Sequence, residues 1–393
     1  MTHDPAPAPT ATTGPPPVPV PVSRAARIAV PATFAYHGLL DAIWLVRIPA
    51  LTDKLHLGTG QVGTVGLAFG LGALLAMQIA TRVLPAYGSR RLLWVTGPGT
   101  AVALGGLALS PRYGILLAVA IVLGLMAGAL DVGMNAQGST IERRTGRMLM
   151  SGMHAAWSLG CVVGGGLGAL AAAGGWDFTR TALTAAVCAL PVSILLATGY
   201  LPDPPDNPAR RGRVRMPRLV HLAGLLVFLA FVVEGTSATW SGLYLRDDLD
   251  TREAVAALAY PLLQIAMIAG RLAGDPLRRR VGARAVVAGC GLGVAVAYLA
   301  VTAAPVWWVA AAGFVLSGLA IAPVVPLAFS VAGAADPTGS GAAIAWAGGA
   351  GYTGTLAGPV AIGYVAQATS LRSALALAIA MGLGICLLGR TIP

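Results

Sequence analysis

Long apolar runs alternate with short polar loops along almost the whole of this chain. Twelve runs stand out, over roughly residues 26–49, 60–81, 92–109, 114–135, 152–174, 179–200, 219–245, 254–274, 284–303, 305–331, 341–367 and 372–390. Each is near the ~20 residues a helix needs to cross the hydrocarbon of a bilayer. Backbone groups in lipid must be satisfied within their own segment, so the runs are read as helices. Strand-type alternation is absent, which excludes a membrane barrel. The pattern predicts an all-α integral membrane fold: twelve transmembrane helices in two pseudo-symmetric six-helix bundles.

One long polar stretch interrupts the runs, Leu201–Arg218, rich in proline and arginine. It reads as a solvated linker (201–218) held near anionic headgroups by its charge. It separates an N-terminal bundle over 25–200 from a C-terminal bundle over 219–393. Ahead of them, residues 1–24 form a Pro-rich tail, with eight prolines in the first 23 residues. Such a segment buries no core and is expected to be disordered. It lacks the apolar stretch of a signal peptide.

Composition agrees with the pattern. Hydrophobic residues make up 56% of the chain and charged residues 10%, against about 25% charged in soluble proteins. The formal net charge of +11 would suit nucleic acid if it were concentrated on one surface. Instead the arginines sit in loops, so no nucleic-acid partner is expected. On one side lie Arg82, Arg90, Arg91, Arg143, Arg144, Arg147, Arg210, Arg211, Arg213, Arg215, Arg218, Arg271, Arg278, Arg279, Arg280 and Arg284. The other side carries Lys54, Arg112, Arg180, Arg246, Arg252 and Arg372. Sixteen against six places both termini in the cytoplasm by the positive-inside rule. The four cysteines fall inside predicted spans without a C-x-x-C pair, and the five histidines are scattered. No disulfide framework, metal site or cofactor is expected, and the chain is expected to act as a monomer in the cell membrane.

The halves echo one another. Gly38…Trp44 in span one matches Gly235…Trp240 in span seven; Gly124-Leu125 matches Gly318-Leu319; Trp157-x-x-Gly160 matches Trp346-x-x-Gly349. Repeated halves with a site between them are a transporter architecture. The glycine pairs Gly124/Gly128, Gly160/Gly164 and Gly354/Gly358 suit close helix packing. Pro323, Pro326 and Pro359 are expected to break or kink spans ten and eleven.

After span eight runs Gly270-Arg271-Leu272-Ala273-Gly274-Asp275, then Arg279-Arg280-Val281-Gly282. This resembles the cytoplasmic loop motif of the major facilitator superfamily. The loop after span two, Pro85-Ala86-Tyr87-Gly88-Ser89-Arg90-Arg91, is a degenerate copy with Pro85 at the motif's acidic position. Three longer strings resemble a bacterial branch related to the fucose permeases: Asp131 to Gln137 with His154 to Gly160, Gly318 to Pro326, and Gly351 to Pro359. With them goes Glu234-Gly…Trp240…Tyr244-Leu-Arg246. The resemblance implies the major facilitator fold, alternating access, and one acid each in spans one and four serving substrate and proton. Asp41 and Asp131 match those positions. The shorter acid at 131, and the lack of a proline after Asn135, mean that a fucose substrate is not carried over. It also implies gating roles for Arg90, Arg91, Arg271, Asp275, Arg279 and Arg280.

Ionisable groups inside spans cost about 2.5–3.5 kcal/mol at the helix centre and commonly line a cavity. Asp41, Asp131 and Glu234 stand out, and a low dielectric favours protonated carboxyls near neutral pH. They are the proton-coupling candidates. Glu234 shares a helix face with Ser237 and Ser241, with Trp240 nearby. His37 and Trp44 share a face with Asp41; His37 could tune the proton and Trp44 could stack on a flat solute. Asn135 lies one turn beyond Asp131, and His154, at the start of span five, forms a proton site or inner gate with them. Tyr260 and Gln264 complete the substrate candidates. The alternatives are a structural hydrogen bond across the halves for Glu234, a satisfied polar cluster with Arg47 near the outer side for Asp41, and gating or packing for Asp131.

The reading is a secondary active transporter of a small sugar-like or organic solute, proton-coupled. A proton-antiport exporter of a drug-like compound or secondary metabolite is the alternative, weakened because the resemblance implies a Gly-Pro pair in span five of antiporters and Gly160 to Gly168 has none. A non-transporting membrane sensor would retain the halves and lose the acids. An enzyme is not expected, because no acidic cluster or nucleophile–base pair occupies a span. No ATP-binding motif occurs.

Overall fold

A computed structural model describes residues 22–145, 147, 149–202, 216–335 and 342–392. The expected tail lies outside the described residues up to 21, as does most of the linker, 203–215. Among the described residues the chain is helical without strands. The elements are α1 (Arg24–Leu45), α2 (Ile48–Leu55), α3 (Thr59–Leu109), α4 (Tyr113–Thr145), α5 (Met150–Ala173) and α6 (Phe178–Ala197). After the linker come α7 (Arg218–Leu243), a π-helical turn (Tyr244–Asp248), α8 (Glu253–Ala256), α9 (Ala259–Val281) and α10 (Ala283–Ala303). The chain ends with α11 (Trp307–Ile321), α12 (Val324–Ala334), α13 (Ala342–Ala368), α14 (Leu371–Leu375) and α15 (Leu377–Gly389). Eleven segments within the described residues are long and apolar enough to cross a membrane. The 27-residue α13 stands in the twelfth place.

Several boundaries differ from the pattern. Span one stops at Leu45, and a separate amphipathic helix, α2, starts at Ile48 with Pro49 in its first turn. A proline there loses no helical hydrogen bond. Span four runs on to Thr145, because its polar end GSTIERRT keeps the helical ladder beyond the apolar run. Asp131 is therefore well inside α4. Span ten breaks in two between Ile321 and Val324, at Pro323. Pro326 lies inside α12 and Pro359 inside α13 without ending either helix.

The two copies of the loop motif share a backbone feature. Gly88 (φ 77°, ψ 163°) turns the chain inside α3, near the start of the second of its two spans, Thr59–Ala80 and Ala86–Leu109. Gly282 (φ 85°, ψ 158°) turns it between α9 and α10. A side chain is strained at that φ, so the matching conformations explain why both copies keep glycine.

Close helix pairs organise each half: α1 on α5, α3 on α4, α7 on α13 and α10 on α15. The predicted glycine pairs sit in three of these seams. A β-carbon at Gly160 or Gly164 would overlap the carbonyl oxygens of Ala35 and Leu39 in α1. At Gly124 it would overlap the Phe69 carbonyl, and at Gly128 it would meet Ala73 Cα at 2.8 Å. At Gly354 and Gly358 it would press on the carbonyls of Phe228 and Val232 in α7. Backbones approach this closely only where side chains are missing, which compensates for the lack of a hydrophobic driving force between helices in lipid. Across the halves, α3 lies against α13 and α5 against α9. Near the linker, Gln137 clamps Leu201: its Nε2 donates to the carbonyl at 2.8 Å and its Oε1 accepts from the N–H at 2.9 Å.

Candidate functional site

Polar side chains gather where α1, α4 and α5 face α7, α9 and α13. Asp41 on α1 has His37 one turn earlier, Nε2 to Oδ2 3.5 Å. The Trp157 indole on α5 reaches toward the same carboxyl, and the charge of Asp131 on α4 is felt there. Asp131 is held from two sides. Asn135 Nδ2 donates to its Oδ1 at 3.2 Å and to its backbone carbonyl at 2.9 Å. Tyr352 on α13 donates from its phenol to Oδ2 at 2.7 Å, across the halves.

A second cross-half group lies beside the first. Tyr260 on α9 donates a weak hydrogen bond to Cys161 Sγ on α5, 3.7 Å away, and accepts one from Gln264 Nε2 at 3.0 Å. Both Tyr260 and Cys161 interact with the charges of Asp41 and Glu234, so the helices bearing these groups converge. Glu234 on α7 faces the guanidinium of Arg271. Arg271 donates across the halves to Ser158 Oγ at 3.3 Å and also faces His154, whose ring packs edge-on against Phe34 at 5.3 Å.

The remaining candidates lie elsewhere. Ser237 is buried inside the C-terminal half, bonded to Tyr298 at 2.7 Å and within 3.4 Å of Ser317. Trp240 and Ser241 are buried too, with Trp240 packed against α13 at Gly363. Trp44 leaves the Asp41 face, stacking at a tilt on Phe69 and lining a small apolar pocket with Ile48, Leu57 and Val65. Of the motif residues, Arg90 covers the Trp94 ring at 5.4 Å, while Arg91, Arg279 and Arg280 are exposed. The side chain of Asp275 lies outside those described.

A network at the end opposite the linker has no counterpart in the sequence reading. Arg47, 1% exposed, pairs with Glu253 of α8 at 2.7 Å and donates to the Trp176 carbonyl. It turns away from Asp41. Burial pulls the Arg47 pKa below the ordinary guanidinium value, while the charges of Glu253 and Asp177 oppose that pull. Arg246 reaches Asp53 at 2.8 Å and Thr52 at 3.3 Å. Both ion pairs join residues before the linker to residues after it. Periodicity carries no trace of them, because the partners lie in short connecting segments: Arg47 just ahead of α2, Asp53 within it, Arg246 in the π-helical turn and Glu253 at the start of α8. Tyr352, Trp157, Ser158 and Cys161 are further site residues that sequence reasoning misses, since only the fold makes their helices neighbours.

An all-helical, two-bundle membrane fold with polar groups between its halves is that of a carrier. The sequence profile of the Major Facilitator Superfamily matches residues 30–274 and 220–392, and the chain belongs to that family. It is 32% identical over 352 residues to an uncharacterised transporter, y4wD, of Sinorhizobium fredii, covering 87% of this chain and 92% of the relative. It is 30% identical to the membrane protein MosC of Rhizobium meliloti, covering 90% and 87%. Among solved structures, a point mutant of the nucleoside transporter NupG superposes with a TM-score of 0.77 at 11% identity, covering 92% of this chain and 98% of that one. A bacterial homologue of the human lysosomal transporter Spinster, inward-facing and occupied, gives 0.74 at 14% identity, covering 93% and 97%. The chain is thus a multi-pass membrane transporter of the major facilitator type.

Proposed function

We propose that this protein is a proton-coupled secondary carrier of a small polar solute, working by alternating access. The observation that carries the reading is the meeting of Asp41, Asp131 and Glu234, from three helices of two halves, around one cross-half cluster. Acids are costly in a membrane and persist where they bind ions or solute. A carboxyl can take up or release a proton, and Asp131 is hydrogen-bonded across the halves to Tyr352. A proton can therefore bias the equilibrium between two arrangements, as any ligand with differential affinity does. The strings Asp131 to Gln137, Gly318 to Pro326 and Gly351 to Pro359 further support a place near the fucose permeases.

The arginine count supports a cytoplasmic linker face, with both termini there. The Arg47–Glu253 and Arg246–Asp53 pairs then bridge the halves at the outer side. Tyr352 remains 36% exposed between the halves, which fits an inward-facing arrangement.

Purified protein in proteoliposomes tests the reading. An imposed pH gradient should drive solute accumulation or exit. If solutes move no faster than through protein-free vesicles, the proposal fails.

A further inference from the structure

The hydrogen-bond donors of the central cluster are mostly committed to the protein. Tyr352 donates to Asp131, Tyr260 to Cys161, Gln264 to Tyr260, and Arg271 to Ser158. Its acceptors are not. Gln264 Oε1 has no partner although the residue is 0% exposed. A buried carbonyl left in that state bears an uncompensated desolvation penalty, so a donor from a ligand is worth having there. Glu234 receives no hydrogen bond among the described residues. His37, 7% exposed, has neither ring nitrogen in a hydrogen bond, so it offers one acceptor and one donor and leaves the balance unchanged.

Charge points the same way. Three carboxyls belong to the cluster, and the one arginine whose charge reaches it among the described residues is Arg271, felt at Glu234. Arg47, the nearest arginine along the chain from Asp41, is turned outward onto Glu253. Deprotonated, the cluster has an excess of negative charge and unspent acceptors. A sugar-like neutral solute could donate from its hydroxyls, but it would leave the negative charge unmatched and find few donors for its own oxygens. An anion would meet repulsion.

Resting on the carrier reading above, we infer that the carried solute is a small cationic amine, its ammonium group lodging by the Tyr260–Cys161 contact between Asp41 and Glu234, with Gln264 Oε1 accepting one of its protons. The ammonium supplies three donors and no acceptor, the complement of what the cluster leaves open. It also occupies the same carboxyls as the coupling proton, so proton and amine compete for one site.

The test is a thermal-shift titration of the purified full chain with small primary and secondary amines. Each is paired with its N-acetyl derivative, and carboxylates of the same skeletons are included. Binding raises apparent stability by mass action. At least one amine should raise the unfolding temperature by about 2–4 °C, and its uncharged derivative should not. Asp41→Asn and Glu234→Gln, near-isosteric changes, should each weaken that amine by about tenfold or more while the ligand-free unfolding temperature stays put. The inference is overturned if no amine stabilises the protein, if the acetylated partners or carboxylates do so equally, or if both variants bind the amine as the parent does. Vesicle flux separates the two readings. A neutral or anionic solute driven by a proton gradient removes the charge assignment and leaves the carrier. Amine binding without flux leaves the charge assignment and removes the carrier.

Discussion

The Tyr352 phenol donates to the Asp131 carboxylate at 2.7 Å, joining two side chains 221 residues apart in sequence and on opposite halves of the protein. Interhelical hydrogen bonds in membranes average about 0.6 kcal/mol and reach about 1.7. Tyr352→Phe should therefore shift the ratio of the two access states by about 3- to 20-fold. Accessibility of an engineered cysteine in the cleft reads that ratio. An unchanged labelling rate would show that the bond does not discriminate between the states.

Glu234 lies in the cluster between the halves without a hydrogen-bond donor of its own among the described residues. Glu234→Gln keeps shape and removes the charge change. Solute exchange should persist in vesicles once the solute concentration is raised about tenfold to offset weaker binding, while pH-gradient-driven movement disappears. Unaltered gradient-driven transport would move the coupling role to Asp41 or Asp131.

The two outer ion pairs should differ in worth. Arg246–Asp53 has a carboxylate side chain 66% exposed, and such pairs contribute about 0.2–1 kcal/mol. Arg47 is buried, and its loss strands Glu253 and the Trp176 carbonyl, a disruption costing about 3–5 kcal/mol in comparable buried pairs. Asp53→Ala should thus melt close to the parent and Arg47→Met well below it. Equal melting temperatures would contradict this ranking.

The glycine seams make a sharper contrast within one helix. Gly160→Ala drives a methyl into the Ala35 carbonyl, whereas Gly166→Ala points into open space. Overpacking costs typically about 1–3 kcal/mol. Detergent-solubilised Gly160→Ala should lose monodispersity or melt several degrees lower, and Gly166→Ala should behave as the parent. If both behave alike, the seam is looser than drawn.

Much of this is legible in the sequence, for identifiable reasons. Lipid enforces a local rule on every span, so apolar length alone locates the helices. Glycine spacing locates the seams, because only the missing side chain matters there. Carboxyls inside spans announce themselves by their cost. What escapes is long-range or hidden in short loops. Tyr352 is one more aromatic until α13 is laid against α4. Periodicity puts Ser237 on the face of Glu234, yet Tyr298 and Ser317 engage it inside the C-terminal half. Arg47 follows Asp41 closely in sequence, yet the helix ends at Leu45 and the chain carries the guanidinium outward.

The seams where a carbonyl fills the place of a β-carbon have one more effect. A helix can slide or roll on its neighbour only if side chains between them can change rotamer, and at Gly160, Gly164, Gly354 and Gly358 there are none to change. The pairs α1–α5 and α7–α13 are therefore geared together. Asp41 and Glu234 are each borne on a helix held in such a seam, so on the carrier reading a charge neutralised at the centre would be passed on as tilt at the rims.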